Sequence, residues 1–145
     1  MRIGPRRQWL LAEAVVRLLV AMALLRFISF QRVARRWGPM VSRPPIPAEA
    51  SQSVERTARA VGWAVHTAAR PLGATCLRQA MAARAMLKRR GVGSLLHFGV
   101  CRDDHDRLQA HAWLDVGGVP VTGYPLADDW SELGCFVTES RSAGG

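Results

Sequence analysis

The sequence predicts an α+β fold with an antiparallel sheet, and three observations carry that reading. Apolar residues recur at helical spacing up to Gly91. Beyond Gly91 the period shortens to that of strands, and the Gly117-Gly118 pair marks a tight turn between two of them. Helices followed by a run of strands close in sequence give an antiparallel sheet with helices on one side.

The first element is helical. The run from Leu10 to Phe30 is interrupted by Glu13, Arg17 and Arg26, and its longest uncharged stretch, Leu18 to Leu25, is too short to span a bilayer. No small-residue cleavage site follows a compact apolar region, so a signal peptide is not expected. What remains is an amphipathic helix with Leu11, Val15, Leu18, Met22 and Leu25 on one stripe and Glu13 paired to Arg17 one turn on. Gly38 and Pro39 stop it, and Pro44, Pro45 and Pro47 stiffen a short connector. The expected organisation is therefore an N-terminal amphipathic helical extension over residues 1–43 and a main domain over residues 44–145.

A second helix is expected from about Ala48 to Ala69, ended by Pro71 and Gly73. A third runs from Ala74 to Gly91, with Thr75 as cap, Cys76 in the first turn, "KRR" in the last turn and Gly91 beyond it. Strands then follow over Ser94–Val100, over "AHAWLDV" ending at Val116, over "VPVTGY" ending at Tyr124, and finally over "WSELGCFVT".

At 145 residues, 49% apolar and 21% charged, the chain is long enough for one domain with a real core and is not disordered. The +9 net charge belongs entirely to residues 1–70, which hold twelve Arg and three Glu; the remainder balances eight basic against eight acidic residues. Such charge alone predicts only salt-dependent attachment. With no nucleic-acid motif present, nucleic acid is not an expected partner. Contact of the N-terminal helix with a membrane surface stays a secondary expectation.

The three cysteines, Cys76, Cys101 and Cys135, lie at wide spacings without a CxxC or a repeated Cys/His pairing. Neither a disulfide framework nor a zinc site is suggested, no cofactor is expected, and free thiols point to a reducing, cytoplasmic compartment. Cys76 stands apart because backbone N–H groups at a helix start stabilise a thiolate. A nucleophile needs a base. His111 lies within a strand, whereas His105 falls in a charged loop. A thiol at a helix start facing a strand imidazole suits a cysteine hydrolase: the ring takes the thiol proton, the thiolate attacks a carbonyl, and the ring then protonates the leaving amine.

The segment "CLRQAMAARAMLKRRG", followed by a strand and "HAWLDVGGVPV", resembles the transglutaminase-like leader peptidases of lasso-peptide biosynthesis. The resemblance is to their stand-alone form, and it extends to the Arg-dotted N-terminal helix. It implies a papain-like core and a cysteine peptidase that removes the leader from a ribosomally made precursor. It also implies a separate small leader-binding protein as partner, and a cyclase that closes the ring. By residue, it implies Cys76 as nucleophile and His111 as general base.

The family places an aspartate about a dozen residues after the histidine, where this chain reads Thr122-Gly123-Tyr124. Asp115 shares a face with His111 but lies roughly 13 Å along the strand. Asp128, Asp129, Thr122 or a backbone carbonyl remain as alternatives for holding the ring. The missing aspartate also admits a second reading, a catalytically idle domain that recruits the leader or the cyclase.

Overall fold

The computed structural model describes residues 4–42, 49–124 and 130–139. Four helices precede four strands: α1 (Pro5–Phe27), α2 (Phe30–Arg35), α3 (Gln52–Leu72), α4 (Cys76–Arg89), β1 (Ser94–Arg102), β2 (Leu108–Val116), β3 (Val119–Thr122) and β4 (Ser131–Thr138). The strands form one antiparallel sheet in the order β3-β2-β1-β4. The fold is therefore α+β, as the change of period requires. No helix among the described residues is long and apolar enough to cross a membrane.

The core lies between the helices and one face of the sheet. Leu96 of β1, Ala112, Leu114 and Val116 of β2 and Phe136 of β4 supply the sheet side; Val61, Val65, Ala83, Met86 and Leu87 supply the helix side. Close approach depends on small residues. A Cβ at Gly62 of α3 would stand 2.8 Å from the Val121 carbonyl oxygen of β3, so only glycine lets helix and strand meet there.

α1 enters the same core through Ala14 and Leu18, which are fully buried. The buried line is Ala14, Leu18 and Ala21, and the expected stripe is corrected at Val15, which is exposed. Two alanines bring α1 close to its neighbours, which larger side chains would prevent. Glu13 also departs from expectation. Rather than pairing with Arg17 it receives Arg90 Nη2 at 2.6 Å and Arg89 Nη1 at 2.9 Å, tying α1 to the C-terminal end of α4. The expected domain boundary near Arg43 and Pro44 falls outside the described residues.

α4 starts at Cys76 as expected, with Thr75 in the extended conformation of an N-cap, yet the Thr75 side chain makes no cap hydrogen bond. The Gln79 side-chain amide donates back to the Ala74 carbonyl oxygen at 2.9 Å and ties down this first turn. The last carbonyls of α4 are met by Arg90, Gly91 and Val92, with Gly91 at φ +73°.

The β2–β3 hairpin turns through Gly117 and Gly118, both at positive φ. Its register slips by one residue between Leu114 and Asp115. β3 pairs only with Leu114, Asp115 and Val116. The N-terminal half of β2 therefore has no strand on that side among the described residues.

Candidate active site

Strand alternation divides the sheet cleanly. Leu96, Ala112, Leu114 and Phe136 point to the helices, so the alternating residues stand on the other face. The register sets Trp113, His97 and Cys135 in one row across β2, β1 and β4, and His111, Gly99 and Glu132 in the next. Gly99 leaves room for the indole: a Cβ there would meet the Trp113 ring at 2.8 Å.

His111 sits at the half-buried, open-edged part of β2. Its ring is stacked between Trp113, at 5.9 Å and 22°, and Trp130, at 4.9 Å and 26°. Its Nε2 lies 2.8 Å from the Gly123 carbonyl oxygen. A carbonyl only accepts, so Nε2 carries the hydrogen and Nδ1 is left with a lone pair. This is the tautomer a general base needs.

Gly123 lies within the Thr122–Tyr124 window in which the resemblance leads one to expect an aspartate. At φ +81°, a Cβ there would lie 2.6 Å from the Ala112 carbonyl oxygen and 2.7 Å from Trp113 Cβ. The backbone carbonyl therefore stands where a carboxylate was expected, and the site has no space for a side chain. Thr122 is buried with its hydroxyl unpaired, and so does not hold the ring. Asp128 and Asp129 lie outside the described residues.

Cys76 opens α4, half-buried, with a free thiol packed beside Leu77 against the main core. α4 packs on the face of β2 that carries Ala112 and Leu114, whereas His111 stands on the other face beside Trp113, so the structure does not bring the thiol and the imidazole face to face as the sequence led one to expect. The two side chains are not hydrogen-bonded to each other; the ring's bond goes to Gly123.

The same face holds a second cluster that sequence reasoning missed. His97 is buried, with Nε2 at 2.6 Å from Asp115 Oδ2 and Nδ1 hydrogen-bonded to Glu132 Oε1. Its ring lies flat against Trp113, at 5.4 Å and 6°. Burial pulls the His97 pKa down, but the hydrogen bonds and charges of Asp115 and Glu132 outweigh that, and the net shift is upward. Burial pushes the Tyr124 hydroxyl up to about 12, with Asp115 and Glu132 adding to the effect. The Cys135 thiol is raised by burial, then by Glu132 and Asp115. The signal available in the sequence was parity: His97 and Asp115 are polar residues within the apolar stretches of their strands, Leu95–Val100 and Ala112–Val116.

Helices laid against a four-stranded antiparallel sheet are the architecture of a transglutaminase-like domain. The transglutaminase-like superfamily model matches residues 18–133, and the chain belongs to that superfamily, which includes cysteine peptidases. Comparison with curated proteins and with solved structures finds no match.

Proposed function

We propose that the protein is a cysteine peptidase in which Cys76 is the nucleophile and His111 the general base, and that it removes the leader from a lasso-peptide precursor. The observation that carries the catalytic part is the His111 setting: Nε2 on the Gly123 carbonyl, the ring between two indoles, and Nδ1 left for proton transfer. The substrate rests on the resemblance of "CLRQAMAARAMLKRRG" and "HAWLDVGGVPV" to the stand-alone leader peptidases.

In this reaction, which requires Cys76 and His111 to be brought onto one side of β2, the Cys76 proton moves to His111 Nδ1 and the thiolate adds to the carbonyl carbon before the core peptide. The Cys76 backbone N–H, at the start of α4, is the natural donor to the oxyanion. Collapse breaks the C–N bond, and the imidazolium gives its proton to the departing amine. Water, deprotonated by His111, then hydrolyses the thioester and regenerates the thiol. A separate leader-binding protein supplies most of the substrate affinity, and a cyclase consumes the product. A nucleophilic thiol that must stay reduced suits a cytoplasmic site of action.

The test is incubation of precursor and leader-binding protein with this chain and with Cys76→Ala. Cleavage by the parent and its loss in the variant is the expected result; cleavage that survives Cys76→Ala overturns the proposal. The absence of a Cys76–His111 hydrogen bond favours one second reading, an idle module that recruits the leader. It predicts that His111→Ala leaves processing unchanged.

A further inference from the structure

We propose that His97, Glu132 and Cys135 form a zinc site that clamps the edge strand β4 to β1. The donor atoms of these three side chains lie within 4.8 Å of one another. A thiolate, an imidazole and a carboxylate are the donors of tetrahedral zinc sites, with bonds of about 2.0–2.3 Å. Closing a 4.8 Å spread around such an ion takes side-chain adjustment and leaves the strands in place.

The register brings these donors together from both strands. Cys135 lies directly opposite His97, and the bulge between Phe98 and Gly99 lets Glu132, three residues before Cys135, reach the same imidazole. His97 presents Nδ1 to the side where Glu132 stands. Its other nitrogen is held by Asp115 at 2.6 Å, the arrangement in which a carboxylate orients a metal-bound histidine from behind.

A second observation marks the cluster as an incompletely satisfied polar site. Asp115 is 7% exposed, and its Oδ1 has no hydrogen-bond partner. Two carboxylates thus converge on one imidazole in a largely buried site. With both ring nitrogens against carboxylates, the metal-free ring must carry both hydrogens. Zinc replaces the Nδ1 hydrogen and the Cys135 thiol hydrogen, both released to solvent. The cluster holds one net negative charge before and after, so the exchange leaves no new uncompensated charge. Glu132, with its side chain 28% exposed, gives the ion a way in from solvent.

The three protein ligands leave a fourth position for water. The ion's place is structural: it would fix the edge strand and, through the His97 ring, support Trp113, on which His111 is stacked. This does not rest on the peptidase reading, and its test needs no substrate.

The probe is the untagged Cys76→Ala/Cys101→Ala chain, in which Cys135 is the last of the three cysteines. After equilibration with zinc chloride and exhaustive dialysis, mass spectrometry is expected to find one zinc per chain, and cobalt(II) is expected to give a thiolate charge-transfer band. Asp115→Asn should weaken zinc binding about 10–100-fold, and Cys135→Ser should abolish the cobalt band. No retained metal, or no thiolate band with cobalt in the parent, overturns the proposal even if Cys135→Ser fails to fold. Equal zinc retention by a folded Cys135→Ser chain also overturns it, and leaves His97 as an imidazolium bridge between carboxylates.

Discussion

Substituting Gly123 separates a carbonyl-held histidine from the carboxylate-held one that the family pattern suggests. Gly123 sits at φ +81°, where any residue with a Cβ costs about 1–2 kcal/mol. That Cβ would also stand 2.6 Å from the Ala112 carbonyl oxygen and 2.7 Å from Trp113 Cβ, both on a central strand that yields little. Overpacking of this kind costs typically about 1–3 kcal/mol. Together the two place Gly123→Ala about 2–5 kcal/mol below the parent. At roughly 3 °C per kcal/mol for a chain of this size, the melting midpoint falls by roughly 6–15 °C. Gly123→Asp should lose as much, although it supplies the family's carboxylate, and its processing rate should fall because the carbonyl that fixes the His111 tautomer is displaced. Urea and thermal unfolding followed by circular dichroism measure the first effect, and precursor cleavage the second. A Gly123→Asp chain that melts with the parent and cleaves faster would refute this reasoning.

Three further perturbations test other parts of the structure. Gly62→Ala would gain about 1 kcal/mol from helix propensity alone, but its Cβ at 2.8 Å from the Val121 carbonyl oxygen more than offsets this, and a net loss of up to about 2 kcal/mol is expected by urea unfolding. Burial raises the Glu13 pKa, but the hydrogen bonds and charges of Arg90 and Arg89 outweigh it, so the folded-state value lies below the ordinary one. The stability this gives is present above the ordinary glutamate pKa and lost as pH falls through the depressed one; Glu13→Gln should cost about 1–2 kcal/mol at neutral pH and progressively less in acid. Trp130→Ala removes one side of the His111 stack and should lower kcat by up to about 100-fold while shifting stability by only about 0.5–1.5 kcal/mol, read from steady-state cleavage beside a melting curve.

Elements whose residues meet short-range demands were legible in the sequence. α4 announced itself by a cap position, a basic last turn and Gly91, and β2 by its alternation through Trp113. The α1 stripe was read one position off because hydrophobicity points to Val15, whereas close helix packing selects Ala14 and Ala21. The support for His111 was legible only as one of several alternatives, for a different reason. It is a backbone carbonyl, and no side-chain pattern encodes it. The His97 cluster was equally hidden, because its members are 18 and 35 residues from His97 and meet only through strand pairing.

The two sides of the sheet differ in how they end. On the β4 side, Val41 exchanges both backbone hydrogen bonds with Cys135, at 2.8 and 2.9 Å, and Gly134 lets Met40 and Val41 press against the strand. One short bridge in the middle of that border splits it into stretches too brief to template a visiting strand. On the opposite side β3 stops early, leaving the His111 half of β2 without a neighbour among the described residues. An extended peptide seeking to lengthen the ladder is therefore turned away at β4.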